Sequence, residues 1–141
     1  MDNERIKKLV EKTQLRTRSK DVPLVRALIE SAESVSKAIP HIPLDDYTAP
    51  IIFESLYRAI RQIGDGYWWL MGYEPRTHDV SIELLIDKEP KLAQKIDRLK
   101  QLRHDSAYRG SKITIENANE IILFWDEHCS NLLESLKKEA L

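Results

Sequence analysis

Apolar residues recur at intervals of three and four residues along most of this chain, and that periodicity constrains its fold more than any other feature. The longest run lies near the carboxyl end and keeps the spacing for more than five helical turns. It consists of Ala118, Ile121, Ile122, Trp125, Cys129, Leu132, Leu133 and Leu136. Because an α-helix has 3.6 residues per turn, these side chains share one face. The run therefore predicts a long amphipathic helix, which Thr114 can cap at its start.

Similar apolar stripes predict the other helices. They lie at Leu24–Ile39, Ile52–Met71, Val80–Ile86 and Leu92–Leu102, and a short basic helix precedes them from Asn3. Asp21 can cap the second helix, and Gly72 and Gly110 are placed to end the third and the fifth. We therefore expect an all-α fold, an up-and-down antiparallel helical bundle of about five helices plus a short N-terminal helix, with no β-sheet.

Two glycines, Gly64 and Gly66, fall inside the third predicted helix. Each costs about 1 kcal/mol of helix propensity relative to Ala. We expect them to mark a kink or a close crossing of two helices.

Composition indicates the domain organisation and the compartment. A chain of 141 residues suits a single domain, with a basic N-terminal helix over residues 1–20 and the bundle over residues 21–141. Cys129 is the only cysteine, which excludes an internal disulfide and a zinc site built from cysteines. The amino end is charged, and no apolar stretch approaches about 18 residues. We expect a cytoplasmic protein without a membrane segment, a cofactor or a metal.

Positive charge is concentrated in two segments, although the net charge of the chain is −1. Residues 1–20 hold seven basic and three acidic side chains, a net charge of +4. Residues 88–112 hold eight basic and three acidic side chains, a net charge of +5. Two interpretations stay open, a solvated helix face and a patch that binds phosphate groups.

One local cluster has the composition of a functional site. The sequence has no glycine-rich phosphate loop, no Ser-His-Asp set and no helical pair of His ligands. The stretch from Leu102 to Gly110, however, crowds ionisable groups and a phenol at the end of a predicted helix. These residues are Arg103, His104, Asp105, Tyr108 and Arg109. Basic groups in a last turn also favour the helix dipole without any ligand, so a purely structural role stays open.

The same stretch resembles the motif of HEPN domains, which are up-and-down bundles of four or five helices. In that family an Arg, commonly followed by Asn, Asp or His, precedes a His by four to six residues. Arg103-His104 is similar to the start of this motif, and Tyr108 occupies the place of the family's His. The third helix leading into Gly72-Tyr-Glu-Pro-Arg-Thr-His78 is similar to nucleotidyltransferase-associated members. The resemblance extends over roughly residues 20–138.

The resemblance implies a homodimer whose motifs meet. In catalytic members the Arg holds a phosphate and the His transfers protons in metal-independent RNA cleavage. A phenol with a pKa of about 10 is a poor base at neutral pH, whereas an imidazole with a pKa of about 6.5 is a good one. We therefore expect binding of RNA or a nucleotide without efficient ribonuclease activity. The residues expected to bind are Arg98, Arg103, Asp105, Tyr108 and Arg109.

The resemblance also implies a prokaryotic protein of the toxin type, whose partner is a minimal nucleotidyltransferase. Two alternatives stay open. His104 beside Arg103 would supply the imidazole of an active endoribonuclease, in a catalytic set with Tyr108. Arg98 and His104 also have the motif's spacing, but on one helix their side chains diverge by about 120°. The second alternative is a partner-binding bundle without a role in nucleic-acid binding.

Aromatic residues and one further histidine complete the sequence-based expectations. Trp68 and Trp69 diverge by about 100° on a helix, so we expect one in the core and the other on a second surface. Such a surface suits a homodimer interface or the stacking of nucleic-acid bases, and we favour the interface. His78 is expected to pack against the third helix as a loop or capping group.

Overall fold

The computed structural model describes residues 1–141 and is 76% helical, which confirms the predicted all-α bundle. Its α-helices are α1 (Asn3–Glu11), α2 (Val22–Ala38), α3 (Ala49–Leu70), α4 (His78–Lys88), α5 (Ala93–Arg109), α6 (Ile115–Phe124) and α7 (Ser130–Glu139). Short 3-10 turns at Ile39–His41 and Pro90–Leu92 follow α2 and precede α5. No helix is long and apolar enough to cross a membrane.

The central element of the core is α3. Thirteen of its 22 residues are buried, because the apolar side chains surround more than one face of the helix. Two buried aromatic residues near its end also satisfy their polar atoms. The hydroxyl of Tyr67 donates to the carbonyl of Leu132 at 3.1 Å, and Trp68 Nε1 donates to the carbonyl of Val80 at 2.9 Å. These bonds let the large rings fill the core without a desolvated donor.

Side-chain contacts show that neighbouring helices run in opposite directions. Trp125, which follows α6, contacts Ser36 near the end of α2, whereas Arg26 near the start of α2 reaches the carbonyl of Ala140 after α7. In the same way, α5 is antiparallel to α6. Its early residue Lys95 pairs with Glu127, and the later Arg98 pairs with Glu120.

A small β-ribbon corrects the expectation of a fold without a sheet. Strand β1 (Leu15–Thr17) pairs antiparallel with β2 (Tyr73–Pro75), and the register joins Arg16 to Glu74. The ribbon fixes the chain after α1 against the end of α3, and Leu15 is buried there. Three-residue strands are too short for an alternating pattern to reveal. The ribbon also includes Tyr73 to Pro75 of the segment that follows Gly72.

The predicted caps are largely confirmed. A side-chain oxygen of Asp21 accepts the N–H of Leu24 at 3.0 Å at the start of α2. Thr114 forms a reciprocal capping box with Asn117 at the start of α6. Gly72 and Gly110 adopt positive φ angles of 85° and 69°, which end α3 and α5 in the left-handed region.

The long C-terminal helix is continuous but contains one wider turn. A π-helical turn, Trp125–Cys129, joins α6 to α7. Both of its end residues are buried in the core. A spacing of four residues fits either an α or a π turn, so the sequence did not distinguish them.

The tryptophan pair does not form the exposed aromatic surface that we expected near a dimer interface. Trp68 is fully buried, and Trp69 is half-buried and packs against the core. Trp68 therefore confirms the expectation that one ring of the pair lies in the core, where it packs edge-on against Tyr73 of β2 and bonds to Val80 of α4. This surface therefore gives no support for a homodimer.

Candidate functional site

Helix α5 carries the predicted site residues and directs them towards three different surroundings. Arg98 turns towards α6, where its guanidinium donates to both carboxylate oxygens of Glu120 at 3.3 and 3.2 Å. Arg103 turns towards α3, where it pairs with Glu54 at 3.1 Å and lies 5.2 Å from the ring centroid of Tyr57. His104 and Tyr108 face outwards into solvent.

The outward group is an aromatic pair near the end of α5. The rings of His104 and Tyr108 have centroids 5.0 Å apart and are tilted by 46°. Tyr108 is 79% exposed, so one face of its ring is open to a ligand. Arg109 lies beside it and makes only a long contact of 3.9 Å with Asp105. The main chain is fixed there, because the carbonyl of Asp105 accepts the N–H of Ser111 at 3.2 Å.

The structure does not join the motif residues into one compact site. Arg103 and Tyr108 are five positions apart on one helix, which separates their directions by about 140°. No hydrogen bond, ion pair or cation–π contact joins them; Arg103 contacts Glu54 and Tyr57 instead. The alternative pair, Arg98 and His104, also diverges, because one contacts α6 and the other contacts Tyr108.

Most of the positive charge of residues 88–112 is already paired. Six of its eight basic side chains have a carboxylate within 4 Å. They are Lys91, Lys95, Arg98, Lys100, Arg103 and Arg109. Exposed pairs of this kind contribute about 0–1 kcal/mol each, so a phosphate group can displace the carboxylate at small cost.

Side chains of α3, α4 and α5 meet at the surface in an inter-helix cluster, the groove, which contains functional groups that the sequence did not reveal. Arg61 of α3 contacts Nε2 of His78, the first residue of α4, at 2.8 Å. Next to this pair, Lys100 of α5 binds Asp79 at 2.9 Å. His78 thus packs against the third helix as expected, but through a guanidinium and not as a helix cap. The only signal in the sequence is that Tyr57, Arg61 and Asp65 follow one another at intervals of four residues.

The groove changes the pKa values of its acidic and basic groups. Desolvation of the ring lowers the pKa of His78, and the positive charges of Arg61 and Arg103 lower it further, against the opposite effect of Asp65 and Asp79. Burial raises the pKa of Asp65, although the hydroxyl of Ser81 donates to its carboxylate. Burial also raises the pKa of the Tyr57 phenol, while Arg103 opposes that rise.

These groups combine cationic and acidic side chains. Arg61, Lys100 and Arg103 supply nitrogen donors, which contact His78, Asp79 and Glu54 respectively. No three His, Cys, Asp or Glu side chains lie close enough together to hold a metal ion. The geometry therefore provides charge-assisted hydrogen bonds to oxygen atoms of a ligand such as a phosphate.

Comparison of the chain with protein-family models, with curated proteins and with solved structures found no match. The chain is an all-α bundle in which Arg98, Arg103 and Arg109 of α5 each lie within 4 Å of a carboxylate.

Asp65→Asn is expected to stabilise the protein at pH 7 and to change little at pH 4. The pKa of Asp65 is raised in the folded protein above the ordinary 3.8. The folded state therefore loses stability as the pH rises from 3.8 through the higher pKa of the folded protein. An Asn amide oxygen still accepts the hydrogen bond of Ser81 and carries no charge to desolvate. Urea unfolding at both pH values measures the difference.

Asp46→Asn serves as the control for this substitution, because Asp46 is exposed on the connection between α2 and α3. We expect it to leave the pH dependence of stability unchanged. A loss of stability at pH 7 in Asp65→Asn would show that the charge of Asp65 stabilises the groove through Arg61.

Proposed function

We propose that this chain is a HEPN-like domain that binds RNA or a nucleotide through the C-terminal half of α5. The observation that carries the proposal is the exposed ring of Tyr108, supported from one side by His104, with the exposed Arg109 next to it in the chain. An open aromatic face beside guanidinium groups suits a nucleotide base and its phosphate, because bases stack on aromatic rings and Arg binds phosphate. The resemblance of Arg103–Tyr108 to the HEPN motif adds support.

Arg103 is proposed to hold the phosphate. Its guanidinium now pairs with Glu54 on the surface, and such a pair is weak in water. A phosphate offers two oxygen acceptors and more negative charge, so it can replace the carboxylate with a forked pair of hydrogen bonds. The ring of Tyr57 beneath the guanidinium would restrict the side chain to the direction of the groove.

Binding without cleavage fits the residues of this site better than ribonuclease activity does. Tyr108 stands in the position of the family's His and offers a phenol, which is a poor base at neutral pH. His104 offers an imidazole, but its ring contacts Tyr108 and is directed about 100° away from Arg103 along the helix. The proposed phosphate and the imidazole would therefore not meet.

Arg103→Ala is expected to weaken binding of a single-stranded RNA by about tenfold, because a hydrogen bond to a charged group contributes about 1.5–3 kcal/mol. Tyr108→Ala is expected to weaken it by a similar factor, since stacking contributes about 1–3 kcal/mol per base. Tyr108→Phe, which keeps the ring, should have only a modest effect. Fluorescence anisotropy of a labelled oligoribonucleotide at low salt measures the affinities. Arg26→Ala on α2 is the control, and it should bind as the wild type does.

The same assay separates the proposal from its alternatives. Cleavage of the RNA by the wild type that disappears in His104→Ala would favour an active ribonuclease. Equal, negligible binding by the wild type and Arg103→Ala would leave the partner-binding bundle, with α5 as a solvated surface. Tyr108→His restores the family's acid–base group, so any cleavage that it creates would support the HEPN assignment.

The homodimer and the nucleotidyltransferase partner stay predictions that rest on the resemblance. Tyr47, Ile51 and Leu123 are exposed apolar side chains on α6 and at the start of α3. They are separate from the Trp68–Trp69 surface on which the dimer was first expected.

A further inference from the structure

Arg61 differs from the other cations of the groove in the partner that it has. Lys100 and Arg103 each bind a carboxylate, whereas the guanidinium of Arg61 contacts the ring nitrogen of His78 and forms no ion pair. The side chain of Arg61 is half-buried, and His78 is exposed. Asp65 lies close enough to interact electrostatically with Arg61, but its carboxylate accepts the hydrogen bond of Ser81. The guanidinium of Arg61 therefore has no direct carboxylate contact that an anion would have to displace.

Arg61 also lies next to the proposed phosphate position. Arg103 contacts Tyr57, and Tyr57 and Arg61 are four residues apart on α3. That interval corresponds to about 6 Å along the helix axis. From the other side, Lys100, about one turn before Arg103 on α5, binds Asp79, the neighbour of His78. Two cationic positions therefore follow each other along one groove.

We infer that Arg61 and His78 form a second phosphate subsite, which receives the phosphate next to the one held by Arg103 and takes up a proton on His78 as it fills. The inference rests on the proposed binding at Arg103. The inference specifies the class of ligand. A molecule with two consecutive phosphodiesters fills both positions, whereas a molecule with one phosphodiester fills only one of them. A short strand of RNA has this chemistry.

The uptake of a proton by His78 follows from the hydrogen bonds that its Nε2 can form. In the free protein Nε2 of His78 faces a guanidinium, which can only donate, so this nitrogen acts as the acceptor. A phosphate that binds Arg61 presents an acceptor to the same nitrogen, which must then carry a proton. The neutral ring can supply that proton from Nδ1 by a change of tautomer, but the negative charge of the phosphate favours the ring with both nitrogens protonated, so a proton is taken up from solvent. Four charged groups act on the imidazole: Arg61 and Asp65 from α3, Arg103 from α5 and Asp79 from α4. The two arginines oppose protonation, and a bound phosphate would neutralise that effect.

Binding is therefore expected to strengthen as pH falls. The pKa of His78 is lowered in the free protein, and a phosphate beside the ring would raise it. A proton is then taken up on binding. The affinity therefore increases as the pH falls from the His78 pKa of the bound protein to that of the free protein. Phosphodiesters keep a constant charge in this range, so a change in affinity reports on the protein.

The test is an NMR titration of the His78 ring against pH, without ligand and with an excess of UpUpU or UpU. UpUpU carries two phosphodiesters and UpU carries one. We expect UpUpU to raise the pKa of His78 by about one unit, a tenfold change in proton affinity, and UpU to raise it much less. The NMR signals of His128, on the π turn, are the internal control and should not respond to either ligand.

Arg61→Gln should abolish the response of His78 to UpUpU, while binding of UpUpU still depends on Arg103. Arg26→Gln is the matched control and should behave as the wild type does. If UpUpU binds with dependence on Arg103 but leaves the pKa of His78 unchanged, or if Arg61→Gln responds as the wild type does, this inference is wrong and the proposed function survives. If neither ligand binds the wild type, both fail together.

Discussion

Replacement of Trp125 by Ala is expected to lower the free energy of unfolding by about 3–5 kcal/mol, as removal of a large buried ring does. Trp125 is 3% exposed and lies at the start of the π turn, where the C-terminal helix meets the other helices. Its Nε1 also donates to the hydroxyl of Ser36 on α2 at 3.0 Å. The substitution therefore opens a cavity and removes a hydrogen bond between two elements of the bundle.

Urea unfolding followed by circular dichroism measures this loss, since the fluorescence of the variant differs from that of the wild type. Leu123→Ala is the control, because Leu123 lies two residues earlier and is 58% exposed. It should stay within about 0.5 kcal/mol of the wild type. A loss of less than about 1 kcal/mol in Trp125→Ala would mean that the ring does not pack against α2.

The helical part of the fold was predictable because its determinants are local. Apolar spacing marks the buried face of each long helix, and short polar signals mark the ends. Asp21, Thr114, Gly72 and Gly110 all act where the sequence placed them. A hydrogen bond between residues three positions apart, or a positive φ at one residue, depends little on the rest of the chain.

Contacts between distant segments were not predictable in the same way. The β-ribbon pairs Arg16 with Glu74, and the groove brings Arg61 to His78. Neither pair has a periodic pattern, because only one or two residues of each segment take part. The order in which helices pack decides these contacts, and one sequence does not show that order.

In the candidate site, too, local features were predictable from the sequence and contacts between distant segments were not. The sequence identified Arg103 and Tyr108 by their spacing in a motif, and that spacing does not report which way the side chains turn. Helix packing turned Arg103 towards Glu54 and left Tyr108 in solvent. It also neutralised most of the basic segment with carboxylates from other helices, which a count of charges along the chain cannot reveal.

Gly64→Ala is expected to cost about 3 kcal/mol of unfolding free energy, at the upper end of what overpacking usually costs. A Cβ at position 64 would lie 2.8 Å from the carbonyl carbon of Ser81 and 2.9 Å from its Cβ. The obstacle is the backbone of α4, which cannot rotate away as a side chain can. The two helices would have to separate, and the bond from Trp68 Nε1 to the carbonyl of Val80 would weaken with them.

Gly66→Ala is the matched control, since it lies on the same helix two residues later. A Cβ there would lie 2.7 Å from Cδ2 of Leu136, the flexible end of a side chain, which can turn aside. The gain of about 1 kcal/mol in helix propensity would offset that adjustment, so this variant should stay within about 1 kcal/mol of the wild type. Chemical denaturation of both variants gives the comparison. Equal stability of the two would mean that α3 and α4 do not cross as closely at Gly64 as the structure describes, and the groove between Arg61 and His78 would be wider as well.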